Sequence, residues 1–570
     1  LDFLQSQARD VPERQRSVRA AFDYSWKRLL LEEQQAFMRL SVFQGGFTRE
    51  AAHAVAGAGL RVLRTLINKS FLTLSGDNRY DIHALLRQYG EEQLEASGMA
   101  DEVRGAHSEF YLKRLQHLEA DLKGRRQIQA LTEIERDIEN VRKAWNWALL
   151  QRNETAIAQT VESLYLFFDL LSRYHDASEL LNLARERLAL SPDSTPNLLS
   201  RRIISRLAYS QSYMHASQEE TKGDLERCLA IARTHNEPAE IAFCLLALGC
   251  YTTEVLKKAP NALSLFRQSL DLYRSLNDRF YEALALLWLG YCHNQFAGDP
   301  VIGYEFTRQG LDVARETGNK VYAALALVNL GLSAIYVGEY PLAESYNQEA
   351  FDLGAETGRV LTMANSKTSL SLLHLLKGEI EKAGVLAEEG VELATNTQHS
   401  EAIAYALAAL SLQLSVAEDY SMGLQIGQES KAVPSDPFDV MLVDIGMAVA
   451  HYGLQSYHAA WQYVGEAIKI AHGFSWPGPI LWSLPIAAAL LAHEGQNERS
   501  AEVLALAFTH PLYPTGWMKQ WPPLTALQSR LETQLAPDIY VAAWERGKAL
   551  DVATVVAELL DEPKEKSVSG

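Results

Sequence analysis

The stretch KVYAALALVNLGLSAIYVGEYPLAESYNQEAFDLGAETG, residues 320–358, decides the fold. It contains two apolar helical patterns separated by the turn-like GEY at 338–340. Small residues stand at Gly331, Ala343 and Ala350, at spacings of 12 and 7 residues. Two helices that cross closely need a small residue wherever their backbones approach. The stretch therefore predicts a helical hairpin.

The same hairpin pattern recurs along the chain. A leucine followed by a small residue returns in steps of 41, 41, 41, 40 and 40 residues. The six pairs are Leu207-Ala208, Leu248-Gly249, Leu289-Gly290, Leu330-Gly331, Leu370-Ser371 and Leu410-Ser411. This spacing resembles the tetratricopeptide repeat, lengthened from 34 to about 40 residues. A chance bundle would not hold a period for five steps, so we expect an all-α, tetratricopeptide-like superhelical solenoid.

The regions that flank the repeats have a different organisation. The first hundred residues read as helices followed by the strand-like runs SFLTL and RYDIH across the turn SGDN, which is the order of a winged helix. We therefore expect a winged-helix domain at 1–100, including the end of a preceding helical linker, and a helical arm at 101–195. A tetratricopeptide sensor at 196–562 and a disordered polar tail at 563–570 complete the predicted organisation.

Charge separates the first hundred residues from the rest. They carry 13 Lys and Arg against 12 Asp and Glu, whereas the remaining 470 residues carry 40 against 59. The whole chain has a formal net charge of −18. This acidity argues against nucleic acid as a direct partner, and a net charge of +1 gives the winged helix no basic recognition surface.

Composition also limits the cellular compartment that we expect for the protein. We find no apolar run of roughly 18 residues, so no membrane partner is expected. The N-terminal LDFLQSQARDVPERQR has no apolar core after a basic region and is no signal peptide. The four cysteines form neither a disulfide framework nor a C-x-x-C zinc pair, so we expect free thiols in a reducing, cytoplasmic setting and no metal site.

Several blocks of sequence stand together in one order. They are RQRSVRAAFDYSW, LSVFQGGFTREAAHAVAG, LRTLINKSFLTL, YDIHALLRQYGEEQL, IERDIENVRKAWNWAL and AAWERGKALDVATVVAELL. This order resembles the winged helix, arm and C-terminal end of bacterial STAND proteins, signal transduction ATPases with numerous domains. The resemblance implies an ATPase core upstream, which binds ADP or ATP with Mg²⁺. No G-x-x-x-x-G-K-[ST] loop occurs in this chain, so we expect it to need no cofactor of its own.

The resemblance also implies a role for His83. In STAND ATPases a histidine at this junction, in a Met-His-Asp-like motif, contacts the β-phosphate of ADP and stabilises the closed state. Here the motif reads Ile82-His83-Ala84, so the histidine is present and the acidic residue is not. An imidazole N–H beside a helix N-terminus can donate to phosphate. The alternative is that His83 only caps the helix that follows or packs at the strand end.

The first helix of each hairpin is expected to face the concave side of the solenoid. Counting the small residue after leucine as the eighth position places polar and aromatic residues on this wall. The predicted binding residues are Glu254, Tyr291, Asn294, Asn365, Thr368 and Tyr405. Such a mixture suits a peptide, a protein or a small ligand held by a few hydrogen bonds. The alternative is an inner surface that binds nothing.

These observations predict the regulatory and inducer-sensing part of a STAND switch. Its partners are expected to be the ATPase core, an inducer on the solenoid, and further copies of the protein on activation. We expect that the chain itself is not an enzyme and has no catalytic residues, and that the parent protein is a slow ATPase. The alternative is a tetratricopeptide adaptor for protein–protein interaction without nucleotide coupling.

Overall fold

The structure is a computed structural model, and it describes residues 18–190, 198–214, 218–254, 259–511 and 516–561. The predicted disordered tail at 563–570 lies outside these ranges. Within them, no helix is both long enough and apolar enough to cross a membrane.

The chain divides into two compact units. The first comprises Leu1–Asp169 and His175–Leu207, and the second comprises Leu170–Tyr174 and Ala208–Gly570. The three-domain boundaries that we expect from the sequence stay predictions.

The first unit begins with a small region of helices and one hairpin. Its elements are α1 (Val18–Trp26), α2 (Leu31–Leu40), α3 (Arg49–Ala56), α4 (Leu60–Asn68), β1 (Thr73–Leu74), β2 (Tyr80–Asp81) and α5 (Ala84–Ala96). The expected strand pair is confirmed, since Thr73 pairs with Asp81 and Leu74 with Tyr80 in antiparallel register. Phe47 adds an isolated bridge to Tyr80 and stacks on its ring at 5.9 Å between centroids.

The rest of the first unit is built from longer helices. They are α6 (Ala100–His117), α7 (Glu119–Leu122), α8 (Gln127–Leu150), α9 (Glu154–Leu170), which ends at the boundary, and α10 (Tyr174–Arg187). Helices α6 and α8 pack against each other. On their facing sides the buried His107 ring contacts Asn140 Oδ1 at 3.1 Å, and burial lowers the pKa of His107 to about 4. The ring is therefore neutral at physiological pH.

Buried polar contacts hold α8 against the hairpin region, which comprises α1 to α5 with the strands β1 and β2. Asn140 Oδ1 accepts from the Gln44 backbone N–H at 2.9 Å, and Asn140 Nδ2 donates to the Gly46 carbonyl at 3.2 Å. Arg79 pairs with Asp137 at 2.5 Å while both side chains are largely buried. Burial raises the pKa of Asp137, and the hydrogen bond from Arg79 opposes that rise. Because a buried charge is stable only when paired, these contacts hold the two regions together.

The second unit is a run of helical hairpins, which confirms the all-α solenoid fold. Helix α11 (Leu198–Ser212) contains the boundary between the units, and α12 (Gln218–Thr234) follows it. The paired helices are α13 (Pro238–Glu254) with α14 (Ala259–Ser275), α15 (Arg279–Gln295) with α16 (Pro300–Thr317), α17 (Lys320–Tyr336) with α18 (Tyr340–Thr357), α19 (Val360–Lys377) with α20 (Ile380–Thr397), α21 (Ser400–Val416) with α22 (Tyr420–Lys431), α23 (Pro437–Gly453) with α24 (Tyr457–Gly473), and α25 (Pro477–His493) with α26 (Asn497–Thr509). A 3-10 turn (Trp517–Lys519) and helices α27 (Pro522–Gln534), α28 (Pro537–Lys548) and α29 (Val552–Asp561) follow.

Small residues permit the close helix crossings, as the sequence predicts. A methyl group on Gly290 would overlap Thr307, and one on Gly331 would overlap Asn347. Where serine replaces glycine it makes a bond across the crossing: Ser371 Oγ donates to the Ala383 carbonyl, and Ser411 Oγ to the Gly423 carbonyl, each at 2.7 Å. The fixed period of the sequence is therefore the period of these crossings.

The first helices of the hairpins form the inner layer of the solenoid. Helices α15, α17, α19, α21 and α23 each contact the first helix of the next hairpin. The superhelix winds tightly enough that α25 lies against α17, and the 3-10 turn lies against α19. Trp476, just before α25, donates from Nε1 to the Asn294 carbonyl at 3.0 Å. Later parts of the same unit thus cover part of the inner surface.

Candidate ligand-binding cleft

The uncovered part of the inner layer contains a cleft of about 110 Å³. Five consecutive first helices, α15 to α23, and the residues just before α21 and α23 contribute its walls. The lining residues are Tyr291, Gln295, Val328, Asn329, Leu332, Asn365, Ser369, His399, Glu401, Ala402, Tyr405, Asp436, Phe438 and Asp439. The site exists only because the superhelix brings five hairpins together.

Aromatic residues form one part of this cleft. Tyr291 donates its hydroxyl hydrogen to the Asp436 carboxylate, which ties α15 to the start of α23. The hydroxyls of Tyr405 and Ser369 lie 3.1 Å apart, and the Tyr405 ring meets Phe438 edge-to-face at 6.0 Å. These contacts fix the ring positions, so the cleft is preformed.

Carboxylates give the cleft its electrostatic character. Asp436 caps α23, and its backbone N–H donates to Asp439 Oδ2 at 3.3 Å. Glu401 lies in the first turn of α21. Helix N-termini favour negative charge, so these are suitable places for carboxylates. Among the described residues that line the cleft, none is a lysine or an arginine.

The tyrosines respond to burial and to these carboxylates. Burial raises the pKa of Tyr405, and the charge of Asp439 raises it further. Burial also raises the pKa of Tyr336, which lies behind the cleft, with Tyr405, Asp439 and Asp436 adding to the rise. Both hydroxyls are therefore protonated at physiological pH and available as hydrogen-bond donors or acceptors.

Gln295 and His399 are two polar side chains of the cleft that form hydrogen bonds within the protein. Gln295 is only 6% exposed, and its Nε2 lies 3.5 Å from the Tyr336 hydroxyl. Its Oε1 has no donor among the residues that the structure describes. His399 caps α21 by accepting from the Ala402 backbone N–H at Nδ1, 3.4 Å away. A neutral His399 then carries its proton on Nε2.

The structure brings together three of the residues predicted for the concave wall. Tyr291, Asn365 and Tyr405 all line the cleft, from three different hairpins. Whether they bind a ligand stays a prediction. Glu254 ends α13, and its side chain lies outside the described residues.

Two of the predicted wall residues, Asn294 and Thr368, are buried rather than accessible, and their part in binding stays a prediction. Asn294 is 3% exposed because its amide donates to Ser333 Oγ at 2.9 Å and Trp476 covers its backbone. Thr368 is 1% exposed: its hydroxyl donates to the Ala364 carbonyl at 3.0 Å, and Gly390 of the neighbouring helix packs against it. The longer helices of a 40-residue repeat turn these positions towards neighbouring helices rather than solvent.

Sequence reasoning missed the side of the cleft that is formed by the residues just before α21 and α23. His399 and Asp436 lie just before α21 and α23, outside the helical positions that were counted. The sequence SDPF at 435–438 carries an available signal, because Asp before Pro is typical of a helix N-terminus. That signal predicts a cap, but it does not predict which surface the cap faces.

His83 caps α5 in the first unit. Its Nδ1 accepts from the Leu85 backbone N–H at 3.4 Å, and the side chain is exposed. This agrees with the capping interpretation. A role in nucleotide binding stays a prediction.

The comparisons with known sequences point to regulatory proteins. No family model matches the sequence. Curated relatives from Mycobacterium bovis and from two strains of Mycobacterium tuberculosis are provisionally described as HTH-type transcriptional regulators. Each is 27% identical over 315 residues, which covers 52% of this chain and 35% of the relative. The chain thus spans about a third of the length of the curated relatives that it matches.

Solved structures show similar helical folds at low identity. A STAND protein with a tetratricopeptide repeat sensor from Pyrococcus horikoshii is 18% identical, with a TM-score of 0.40 over 72% of this chain and 64% of its own. A Rap protein complexed with Competence and Sporulation Factor is 11% identical, with a TM-score of 0.44 over 71% of this chain and 99% of its own. Both similarities concern the fold and not the ligand.

Proposed function

We propose that this chain is the regulatory and ligand-sensing part of a nucleotide switch of the STAND type. The solenoid binds an inducer and changes its conformation. The helical arm transmits this conformational change, and the winged helix controls ADP and ATP exchange on an ATPase core. That core, rather than this chain, would carry the phosphate loop and the Mg²⁺ ion. Exchange then permits self-association of the full protein.

One observation carries the sensing part of the proposal: five consecutive hairpins line a single cleft. Each hairpin supplies only a few side chains, so a ligand that fills the cleft must contact several hairpins at once. Such a ligand binds best to the winding of the superhelix in which those side chains are close. It therefore shifts the population towards that winding, which is what a sensor must do.

The relay part rests on the contacts inside the first unit. Asn140 and Asp137 on α8 are bonded to Gln44, Gly46 and Arg79 of the hairpin region. Because these contacts are buried and paired, the arm helix and the hairpin region move as one body. A displacement of the arm then repositions α5 and His83 with it.

We place the output in the control of transcription, because the curated relatives are described as transcriptional regulators. The net charge of +1 over the first hundred residues supports an indirect role for this chain rather than DNA binding. The adaptor without nucleotide coupling is the second candidate, and the capping bond of His83 favours it, since a cap needs no nucleotide.

Release of ADP from the parent protein, with its ATPase core, distinguishes the two candidates. His83→Ala removes both the cap and any phosphate contact, whereas His83→Asp keeps a strong cap and places a negative charge where the imidazole was. A hydrogen bond to a charged group contributes roughly 1.5–3 kcal/mol, so the switch predicts about tenfold faster ADP release in both variants. Under the adaptor function, the Asp variant releases ADP like the wild type or no nucleotide is bound at all.

A further inference from the structure

One short segment of the chain belongs to a different compact unit from the helices on either side of it. Helix α9 lies in the first unit up to Asp169, and α10 lies in that unit from His175, whereas Leu170–Tyr174 belongs to the second unit. We call this segment the connector. Leu170 is fully buried and Tyr174 is 6% exposed, so the connector is packed as part of the solenoid.

An arginine of the solenoid holds the first residue of the connector. Arg359, which directly precedes α19, is buried and donates from Nη1 to the Leu170 carbonyl at 2.7 Å. Leu170 ends α9, and the last carbonyls of a helix lack a partner within the helix and carry partial negative charge. A guanidinium is therefore a strong and specific partner at this position. A movement at the start of α19 is transmitted through this bond to the end of α9.

Aromatic rings hold the other end of the connector. Tyr174 stacks on Tyr213 with the ring centroids 4.2 Å apart and an angle of 3° between the planes. The His399 ring completes the cluster, 6.4 Å from Tyr174 and 6.2 Å from Tyr213. Tyr213 follows α11 and His399 precedes α21, so the first residue of α10 contacts two parts of the solenoid that are far apart in sequence. These contacts form together only in one winding of the superhelix.

His399 is shared between the connector and the cleft. It lines the cleft, and its Nδ1 accepts from the Ala402 backbone N–H at the start of α21. The position of the ring is therefore tied to the first turn of α21. An occupant of the cleft that fixes this turn also fixes the ring that Tyr174 contacts. Because such coupling is reciprocal, loss of the Tyr174 contact must in turn affect the first turn of α21.

We propose that the connector is the contact through which the winding of the solenoid acts on α9 and α10. Arg359, Tyr213 and His399 hold it from three sides in the winding observed here. An occupant of the cleft that stabilises this winding holds Leu170 and Tyr174 more firmly and thereby fixes the ends of both helices. This inference rests on the proposed sensing function and names the point at which that function is regulated.

The first test is hydrogen–deuterium exchange of the whole chain, measured by mass spectrometry. His399→Asn keeps a side chain that caps helices well but removes the ring, so exchange in the first two turns of α10 should rise by about 2- to 10-fold. Tyr174→Leu removes the ring on the opposite side, and reciprocity predicts a similar rise in the first turn of α21. The matched control is His472→Asn, at an exposed histidine of α24 outside the cleft, which should change neither segment.

The two variants act from opposite sides of the same contact. The proposal is supported if His399→Asn raises exchange in α10 and Tyr174→Leu raises it in α21. It is overturned if a folded variant leaves the opposite segment at wild-type exchange, or if His472→Asn has the same effect. The thermal unfolding midpoint shows whether each variant is folded, and if one is not, the other decides.

The parent protein, with its ATPase core, separates failure of the connector from failure of the sensing function. Exchange in α21 and release of ADP are measured with and without a small-molecule and peptide extract of the host cell. We expect the extract to change both in the wild type. In Tyr174→Leu it should change only exchange in α21, because the solenoid still responds while the connector no longer transmits the response.

The outcomes of this second test are distinct. Release of ADP that responds to the extract in Tyr174→Leu as in the wild type overturns the connector and leaves the sensing function standing. A wild type that responds in neither measurement refutes the sensing function, and the connector is then judged by exchange in the chain alone.

Discussion

The helix crossings and the inner cleft use the same first helices for opposite purposes. At a crossing, Gly290, Gly331, Ser371 and Ser411 leave no space, and a larger side chain would overlap the neighbouring helix. In the cleft, Tyr291, Asn365 and Tyr405 lie on three of these four helices but border a cavity. Crossing positions therefore determine stability, whereas cleft positions would, under the proposed function, determine which ligand is recognised.

The two regions also differ in how they repeat. Every crossing needs the same small volume, so its residue type returns at a constant step along the chain. Each hairpin gives the cleft a different combination of groups: a phenol and an amide from α15, an amide and apolar side chains from α17, an amide and a hydroxyl from α19, a carboxylate and a phenol from α21, and a carboxylate and a phenyl ring from α23. A surface that recognises a ligand must vary from repeat to repeat, and a surface that packs must not.

The largest effect on stability is expected at Trp476, where a later part of the superhelix contacts an earlier one. Trp476→Ala removes a fully buried ring and the hydrogen bond to the Asn294 carbonyl, so the free energy of urea unfolding should fall by about 3–5 kcal/mol. Trp544→Ala, at a partly exposed tryptophan of α28, is the control and should cost less. An equal or smaller loss for Trp476 would mean that this contact does not hold the winding.

A crossing substitution should have the next largest effect. Gly290→Leu forces a side chain into Thr307 and the backbone of α16, and we expect a loss of about 1–3 kcal/mol in the free energy of unfolding. Gly473→Ala is the control, because no atom lies within 4 Å of its added methyl group and alanine favours a helix. The crossing account is wrong if the two variants unfold at the same urea concentration.

Tyr291 is the cleft residue most involved in packing, so it tests how sharply the two regions differ. Tyr291→Phe keeps the ring and removes the donor to Asp436, which should lower the free energy of unfolding by about 1 kcal/mol. Tyr304→Phe, whose hydroxyl lies 3.4 Å from the Tyr346 hydroxyl in a part-buried position, should change it less. A loss as large as that of Gly290→Leu would make the cleft a packing region too.

The smallest effect on stability is expected at Gln295. Gln295→Met replaces a buried amide, whose Oε1 has no donor among the described residues, with an apolar side chain of similar length. We expect the thermal unfolding midpoint to stay the same or to rise, because an unpaired polar group leaves the interior. A clear fall in the unfolding midpoint would show that Gln295 serves packing rather than recognition.

The sequence predicts the crossings well and the cleft only in part. Small residues at a period of about 40 fix the hairpins because close packing tolerates few alternatives. Tyr291, Asn365 and Tyr405 follow from helical periodicity once the inner face is identified. Asn294 does not, because its burial depends on Trp476, which is distant in sequence. Thr368 does not either, because the 34-residue template places it on the wall, whereas in this longer hairpin it packs against Gly390 of the partner helix.

The acidic wall could not be predicted for a related reason. Asp436 and His399 are recognisable as helix caps, but the winding of several hairpins decides that they face the same space as Tyr291. Periodicity describes one hairpin and its neighbour, and it contains no information about contacts four hairpins away. Likewise, the motif around His83 suggests a nucleotide contact, whereas the local geometry shows only a helix cap.

Filling the cleft in the parent protein tests the central claim most directly. Asn365→Trp places a large side chain in the cavity from a partly exposed position, so the fold should persist while the site is blocked. ADP release is then measured with and without a small-molecule and peptide extract of the host cell. The account predicts that the extract accelerates release from the wild type and has no effect on the variant, at unchanged unfolding temperature. An equal response in both proteins would contradict it.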